Sequence, residues 1–244
     1  MQNVVDRLLE VSFGDKWYEF QTRTKAGYDV TVTDKIVIRE IFNDNVYQVV
    51  DGDLEDTGVV VDIGGNIGAF SIYSAALGAK KVYTFEPDSL NWDILLENIK
   101  NNELEKVIHP IKLGVSDKEA EVEFVNGQGA SFIRGVKEIP TPEARKKVKE
   151  ANGEVIKTIS LEQVFADNKI ANCDILKIDC EGSEFDIIEG ASPEIIAKAK
   201  YITMEFHITD EVTFGKMIAK LSLTHNIHII GKYNMGGQIY AKRY

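Results

Sequence analysis

In "VVVDIGGNIGAFS", Val59 to Ser71, a run of branched apolar residues ends at Asp62 and gives way to Gly64, Gly65, Asn66 and Gly68. Glu86 closes a second such run in "KKVYTFEP", and Asp117 a third in "LGVSD". A carboxylate beside bare backbone suits a ligand with a positive and a negative end, since the acid pairs with one and N–H groups at a helix start donate to the other. Glycine there admits a ligand that a Cβ would block. A dinucleotide fingerprint fits poorly, because Ile63 stands where the first glycine of G-x-G-x-x-G belongs and Asp62 would face a pyrophosphate. S-adenosylmethionine satisfies both ends, and its sulfonium would lie near the strand ends. Glu86, with two acceptor oxygens, is placed to take both hydroxyls of a ribose, and Asp117 to accept from an adenine amino group. Each acid also reads as a helix cap, Asp117 most readily.

Two later stretches carry different chemistry. Lys177, Asp179 and Glu181 alternate in "LKIDCEG" and start on one strand face before Gly182, and Glu205 and His207 alternate in "MEFH". Adjacent parallel strands would bring these sets together beside a transferred methyl group. Methyl transfer is an in-line displacement that needs alignment, and an alcohol acceptor also needs a base for its proton. His207, with an ordinary pKa of about 6.5, is the expected base, and Asp179 orients the acceptor or the base. Lys177 with Asp179 also reads as a structural ion pair, and His207 as a satisfied strand-end histidine. Asp179, Glu181, Glu205 and His207 form an oxygen-rich set of the kind magnesium or manganese takes, but each has a use without metal and none is assigned.

Short β-branched runs separated by helical stretches from Gly58 onward predict βαβ units, hence an α/β fold with a mostly parallel sheet and helices on both faces. Strands are expected in "GVVVDIG", "KKVYTFEP", "KVIHPIKLGVSD", "AEVEFV", "NCDILKIDCEG" and "AKYITMEFH". The tail "NIHIIGKYNMGGQIYAKRY" predicts an antiparallel hairpin around Asn-Met-Gly-Gly. Ser160 and Gln163 have capping-box spacing. Residues 1–57 read as a preamble packed on the core: Val4, Val5, Leu8 and Leu9 mark a helical face, and "TVTDKIVIREIF" alternates like a strand. Residues about 126 to 153 break the rhythm and predict a lid-like insertion in the domain of residues 58–244, with "EARKKVKE" as a solvated helix face.

Together "VVDIGGNIGAFS", "YTFEPD", "LGVSD", "LKIDCEGSEFDIIEGA" and "MEFH" resemble the FkbM-type S-adenosylmethionine-dependent methyltransferases, from about Val59 to His207, with "KIDCEG" the most specific element. "VIREIFNDNVYQVV" is similar more weakly. The resemblance implies a Rossmann-like class I methyltransferase sheet, O-methylation of a hydroxyl on a small molecule or sugar, and Asp62, Gly64, Gly68 and Glu86 as cofactor contacts. Ser131 in "GASF" resembles a small serine-containing segment of the family, which implies a substrate contact. The sequence departs from the pattern at the third strand, where the residue often acidic in methyltransferases falls at Val115.

The chain has 244 residues and a formal net charge of −11, which argues against a broad phosphate-binding surface and so against nucleic acid as partner. An RNA-modifying methyltransferase would also carry a proline-containing motif where "IDCEG" stands. A non-catalytic nucleotide-binding protein of the same fold is the other alternative. No apolar run approaches a membrane span, and the N-terminus has no signal-peptide core, so a cytoplasmic location is expected. Cys173 and Cys180 are too far apart along one strand for a disulfide.

Overall fold

The computed structural model describes residues 8–23, 31–54, 56–126, 131–132 and 154–244. In chain order the elements are β1 (Leu8–Phe13), β2 (Lys16–Gln21), α1 (Thr31–Phe42), β3 (Val59–Ile63), α2 (Ala69–Ala76), β4 (Lys81–Phe85), α3 (Ser89–Asn101), β5 (Ile108–Ile111), β6 (Gly114–Ser116), β7 (Ala120–Asn126) and β8 (Ser131–Phe132). They continue with β9 (Glu154–Ser160), α4 (Leu161–Asp167), β10 (Cys173–Ile178), α5 (Glu184–Gly190), α6 (Pro193–Ile196), β11 (Ala199–Phe206), α7 (Glu211–Leu221), β12 (His225–Lys232) and β13 (Gly236–Arg243).

Seven strands form the central sheet in the order β12-β13-β11-β10-β3-β4-β5, with β11, β10, β3, β4 and β5 parallel and the β12–β13 hairpin antiparallel. Two-residue alternation divides the core. Val60, Val82, Ile108 and Ile175 point to the face that packs α1, α2 and α3, while Ile63, Leu176, Ile178, Ile202 and Met204 point to the face with α4, α5 and α7. The register sets Lys177 beside Asp62, and Asp62 beside Thr84, so three polar residues share one layer of an otherwise apolar sheet.

Three local expectations are corrected. "TVTDKIVIREIF" is helix α1, not a strand, because its buried residues Asp34, Ile38, Ile41 and Phe42 follow helical spacing, which the β-branched residues mask in sequence. Leu8 and Leu9 lie in β1, not on a helix; Val4 and Val5 are outside the described residues. The expected third strand splits at Lys112–Leu113: β5 stays in the central sheet, and β6 joins a second sheet, β6-β9-β7-β8. The capping box at Ser160 and Gln163 opens α4 as expected. No helix among the described residues is long and apolar enough to cross a membrane.

Candidate active site

The carboxyl ends of β3, β4 and β10 meet at the glycine turn. Gly64 has φ 83°, and a Cβ there would lie 1.7 Å from the Asp179 carbonyl oxygen, while a Cβ on Gly65 would lie 2.2 Å from Thr84 Oγ1. These glycines are therefore required first by strand-end packing, before any ligand. The buried Lys177 ammonium ties the turn from below, donating to Gly64 O at 2.7 Å and pairing with Asp62 at 3.2 Å and Asp179 at 3.7 Å. Burial pushes its pKa down, but the Asp62 and Asp179 charges outweigh this and hold it raised.

Beyond the turn a cavity is lined by Gly64, Asn66, Glu86, Gly114, Asp179 and Glu181, among others. Glu86 forms one end. Its carboxylate accepts from Asn66 N at 2.8 Å, Asp88 N at 2.9 Å and Asn91 Nδ2 at 3.3 Å. Burial raises its pKa to about 7 against these donors. Asn66 takes the left-handed conformation, φ 50°, and its buried Oδ1 has no partner among the described residues.

An ionic cluster forms the other end. Asp179 accepts from the buried Tyr47 hydroxyl at 2.6 Å. His207 is clamped between two carboxylates, Nε2 to Glu181 at 2.9 Å and Nδ1 to Glu184, and Glu184 also accepts from Gly182 N at 2.6 Å. Burial opposes the charge on His207, but the two carboxylates prevail and raise its pKa to about 11. Glu205 is raised to about 7, by burial first and by the Asp179 charge next, and accepts from Gln238 Nε2 at 3.3 Å. Glu181 carries φ 56°, a left-handed backbone that costs a non-glycine residue roughly 1–2 kcal/mol.

Several expectations change. Asp62 has no exposed surface: Ser71 Oγ donates to it at 2.6 Å, Thr84 Oγ1 at 3.3 Å, and Lys177 is its cationic partner, so a ligand's ammonium meets no free face of it. Asp117 is exposed beside Ser116 and Gly190, off the cavity, which is lined by Leu113, Gly114 and Val115 of that segment. Gly68 starts α2 at φ 90° and packs under Leu95, away from the lining. His207 is a clamped cation near neutral pH, not the free imidazole that a base must be. Ligand atoms of Asp179, Glu181 and His207 lie within 4.8 Å of one another, and Glu205 is outside that group. Both imidazole nitrogens already face carboxylates. Ser131 falls in β8, its side chain outside the described residues, as are positions 127–130 and 133–153, which hold most of the lid-like insertion and all of "EARKKVKE". Cys173 and Cys180 are free, with thiol pKa values that burial pushes up.

Sequence reasoning missed Tyr47, Arg23, Asn91 and Glu184. Glu184 had a signal, an acid in the first turn of a helix directly after "KIDCEG". Tyr47 and Arg23 lie in the preamble, where no spacing links them to the strand ends.

A seven-stranded sheet with one antiparallel hairpin, and a cavity where its parallel strands end, define the class I S-adenosylmethionine methyltransferase fold. The chain belongs to the methyltransferase FkbM domain family, which it matches over residues 62–227, and is an S-adenosylmethionine-dependent methyltransferase. It is 25% identical over 211 residues to the 31-O-demethyl-FK506 methyltransferase FkbM of Streptomyces tacrolimicus, covering 77% of this chain and 79% of that protein. Similarity to the hexuronic acid methyltransferase AglP of Haloferax volcanii is 23% over 177 residues, 71% of this chain and 66% of AglP. The chain spans 10% of the AMB antimetabolite synthetase AmbE of Pseudomonas aeruginosa, to which it is 26% identical over 211 residues, 75% of its own length. An rRNA methylase from Streptococcus thermophilus shares the fold, with TM-score 0.50 and 11% identity over 84% of this chain and 96% of that one.

Proposed function

We propose that the protein methylates a hydroxyl oxygen on a small molecule or sugar, with S-adenosylmethionine in the cavity between Glu86 and Asp179. The observation that carries this is the pairing within one cavity of an acceptor-rich end and an anionic end. Bound S-adenosylmethionine supplies an electrophilic methyl group on a sulfonium. Glu86 accepts from ribose hydroxyls, and Asn66 Oδ1, without a partner among the described residues, offers a further acceptor. Asp179 and Glu181 give the other end the negative charge that a cation prefers.

Glu205 is the base in this reading. It lies at the end of β11 among the Asp179, Glu181 and His207 charges, and burial with the Asp179 charge raises its pKa to about 7, which favours uptake of a hydroxyl proton, whereas the two carboxylates that flank His207 raise its pKa to about 11. Tyr47 and Lys177 hold Asp179 in place from the opposite side. The net charge of −11 supports a small acceptor over a polyanionic one; the name of the relative FkbM, which acts on 31-O-demethyl-FK506, supports a hydroxyl oxygen, and that of AglP, a hexuronic acid methyltransferase, supports a sugar.

The test is calorimetric titration with S-adenosylmethionine, S-adenosylhomocysteine and NAD, followed by transfer of labelled methyl to a panel of hexuronic acids and hydroxylated macrolides. The adenosyl ligands are expected to bind and NAD not to. Glu86→Gln is expected to weaken adenosyl binding about ten- to hundredfold, the worth of a hydrogen bond to a charged group. Glu205→Gln is expected to leave binding intact and slow transfer by about a hundredfold or more. Tighter binding of NAD sinks the cofactor reading; transfer undiminished in Glu205→Gln sinks the base.

A further inference from the structure

Arg23 lies in the preamble, ahead of the segment that matches the family, yet it lines the cavity and is only 6% exposed. Asp34 from the first turn of α1 holds it: Oδ1 accepts from Nε at 2.9 Å and from Nη2 at 2.5 Å, and Oδ2 accepts from the Arg23 backbone N–H at 2.6 Å. The remaining guanidinium nitrogen, Nη1, donates to Asn91 Oδ1 at 3.0 Å. Asn91 Nδ2 in turn donates to Glu86 Oε1.

The direction of this chain follows from chemistry. A side-chain amide can turn over and exchange its oxygen and nitrogen, but a guanidinium has only donors and a carboxylate only acceptors. With Arg23 on one side and Glu86 on the other, a single orientation of Asn91 makes both bonds. The reverse sets donor against donor and acceptor against acceptor. The amide is buried, 4% exposed, so water does not make up the loss.

Resting on the reading of the cavity as the adenosyl site, we infer that Arg23 is a positioning residue that fixes the Asn91 amide and, through it, the Glu86 carboxylate for ribose hydroxyls. Asn91 Nδ2 and Asp88 N both occupy Oε1, while among the described residues Oε2 accepts only from Asn66 N, so the remaining acceptor capacity is concentrated on Oε2. An inverted amide would push the carboxylate away and undo that division. The preamble thereby sets how strongly the site distinguishes a ribose from a sugar without hydroxyls.

The experiment compares affinity for S-adenosylhomocysteine with affinity for its 2′,3′-dideoxy counterpart, by calorimetry on the full chain in buffer about two pH units above the Glu86 pKa of about 7, where the side chain is an acceptor-only carboxylate. The double variant Arg23→Gln/Asp34→Asn replaces the ion pair with a neutral pair and frees the amide to turn, and it is expected to lower the ratio of affinities about tenfold. Arg23→Lys, still donor-only and still charged, is expected to keep the ratio. A structural role alone weakens both ligands equally, so an unchanged ratio in the double variant overturns the inference. Should that variant fail to fold, Asn91→Asp takes its place, since it leaves Arg23 and Asp34 paired but removes the donor to Glu86; a retained ratio there overturns the inference too. Glu86→Gln is the reference. If it leaves the ratio untouched, the adenosyl reading of the cavity fails, and this inference falls with it.

Discussion

The two ends of the cavity are held by different forces. Around Glu86 the ligands are backbone N–H groups and one amide, fixed by the turn after β3 and the start of α3. Around Asp179 lie one neutral donor, the Tyr47 hydroxyl, and a cluster of charges: Lys177, His207, Glu181, Glu184 and Glu205. Each end contains a left-handed residue, Asn66 at φ 50° and Glu181 at φ 56°. Asparagine tolerates that backbone; glutamate does so with an ion pair to His207 as anchor. Packing determines the geometry of one end and charge balance that of the other, so the two respond to different perturbations.

The sharpest break in this contrast is Gly64→Ala, where a methyl group 1.7 Å from the Asp179 carbonyl forces the two strand ends apart. Urea unfolding is expected to register a loss of about 4 kcal/mol or more, and a variant as stable as wild type removes the packing argument. Lys177→Met comes next, at about 3–5 kcal/mol, because Asp62 is left buried without its cation. Adding Asp62→Asn is expected to restore most of that loss, and no restoration means the pair is not the cause.

A third test uses pH to separate the ends. Glu86, Glu205 and His207 all have folded pKa values raised above their ordinary ones, so the folded chain holds protons that the unfolded chain releases. Stability therefore falls as pH rises. The Glu86 and Glu205 contributions change between 4.5 and about 7; that of His207 is complete below 6.5 and lost through about 11. Thermal midpoints measured from pH 5 to 10 are expected to decline throughout, with roughly 1–3 kcal/mol from Glu86 that Glu86→Gln abolishes. A midpoint that rises over the lower window contradicts the burial of Glu86. The smallest effect is Glu181→Gly, which relieves the left-handed backbone and loses one partner of His207, for a net change within about 1 kcal/mol. Its clearer signature is a lower His207 pKa by NMR, and an unmoved pKa means Glu184 alone holds that charge.

The central sheet was legible because its strands are short, β-branched and separated by helices, and the Ser160 cap because its spacing is local. Two site features and one helix were not. Asp62 reads in sequence as an acid facing a ligand; its burial depends on Lys177, whose place beside it is a matter of register, over a hundred residues away. His207 reads as a base from the ordinary pKa of an imidazole, while the carboxylates that stabilise its protonated form come from the turn after β10 and from α5. Helix α1 was hidden by valine, isoleucine and threonine, whose preference for strands is overridden once Ile38, Ile41 and Phe42 find a common face to bury.

The face of the sheet that packs α1 is completed by residues that precede β3: Phe20, Ile38, Phe42, Tyr47 and Val49 cover strand residues Val60, Val82 and Ile175 together with Phe70 and Leu95. The part of the molecule that can be transplanted is therefore larger than the part that can be recognised. A gene fragment cut at the first residue of the family match would encode a protein with an open apolar flank, prone to clump on expression. Engineers who wish to graft this catalyst onto another polypeptide should carry its first sixty or so residues along with it.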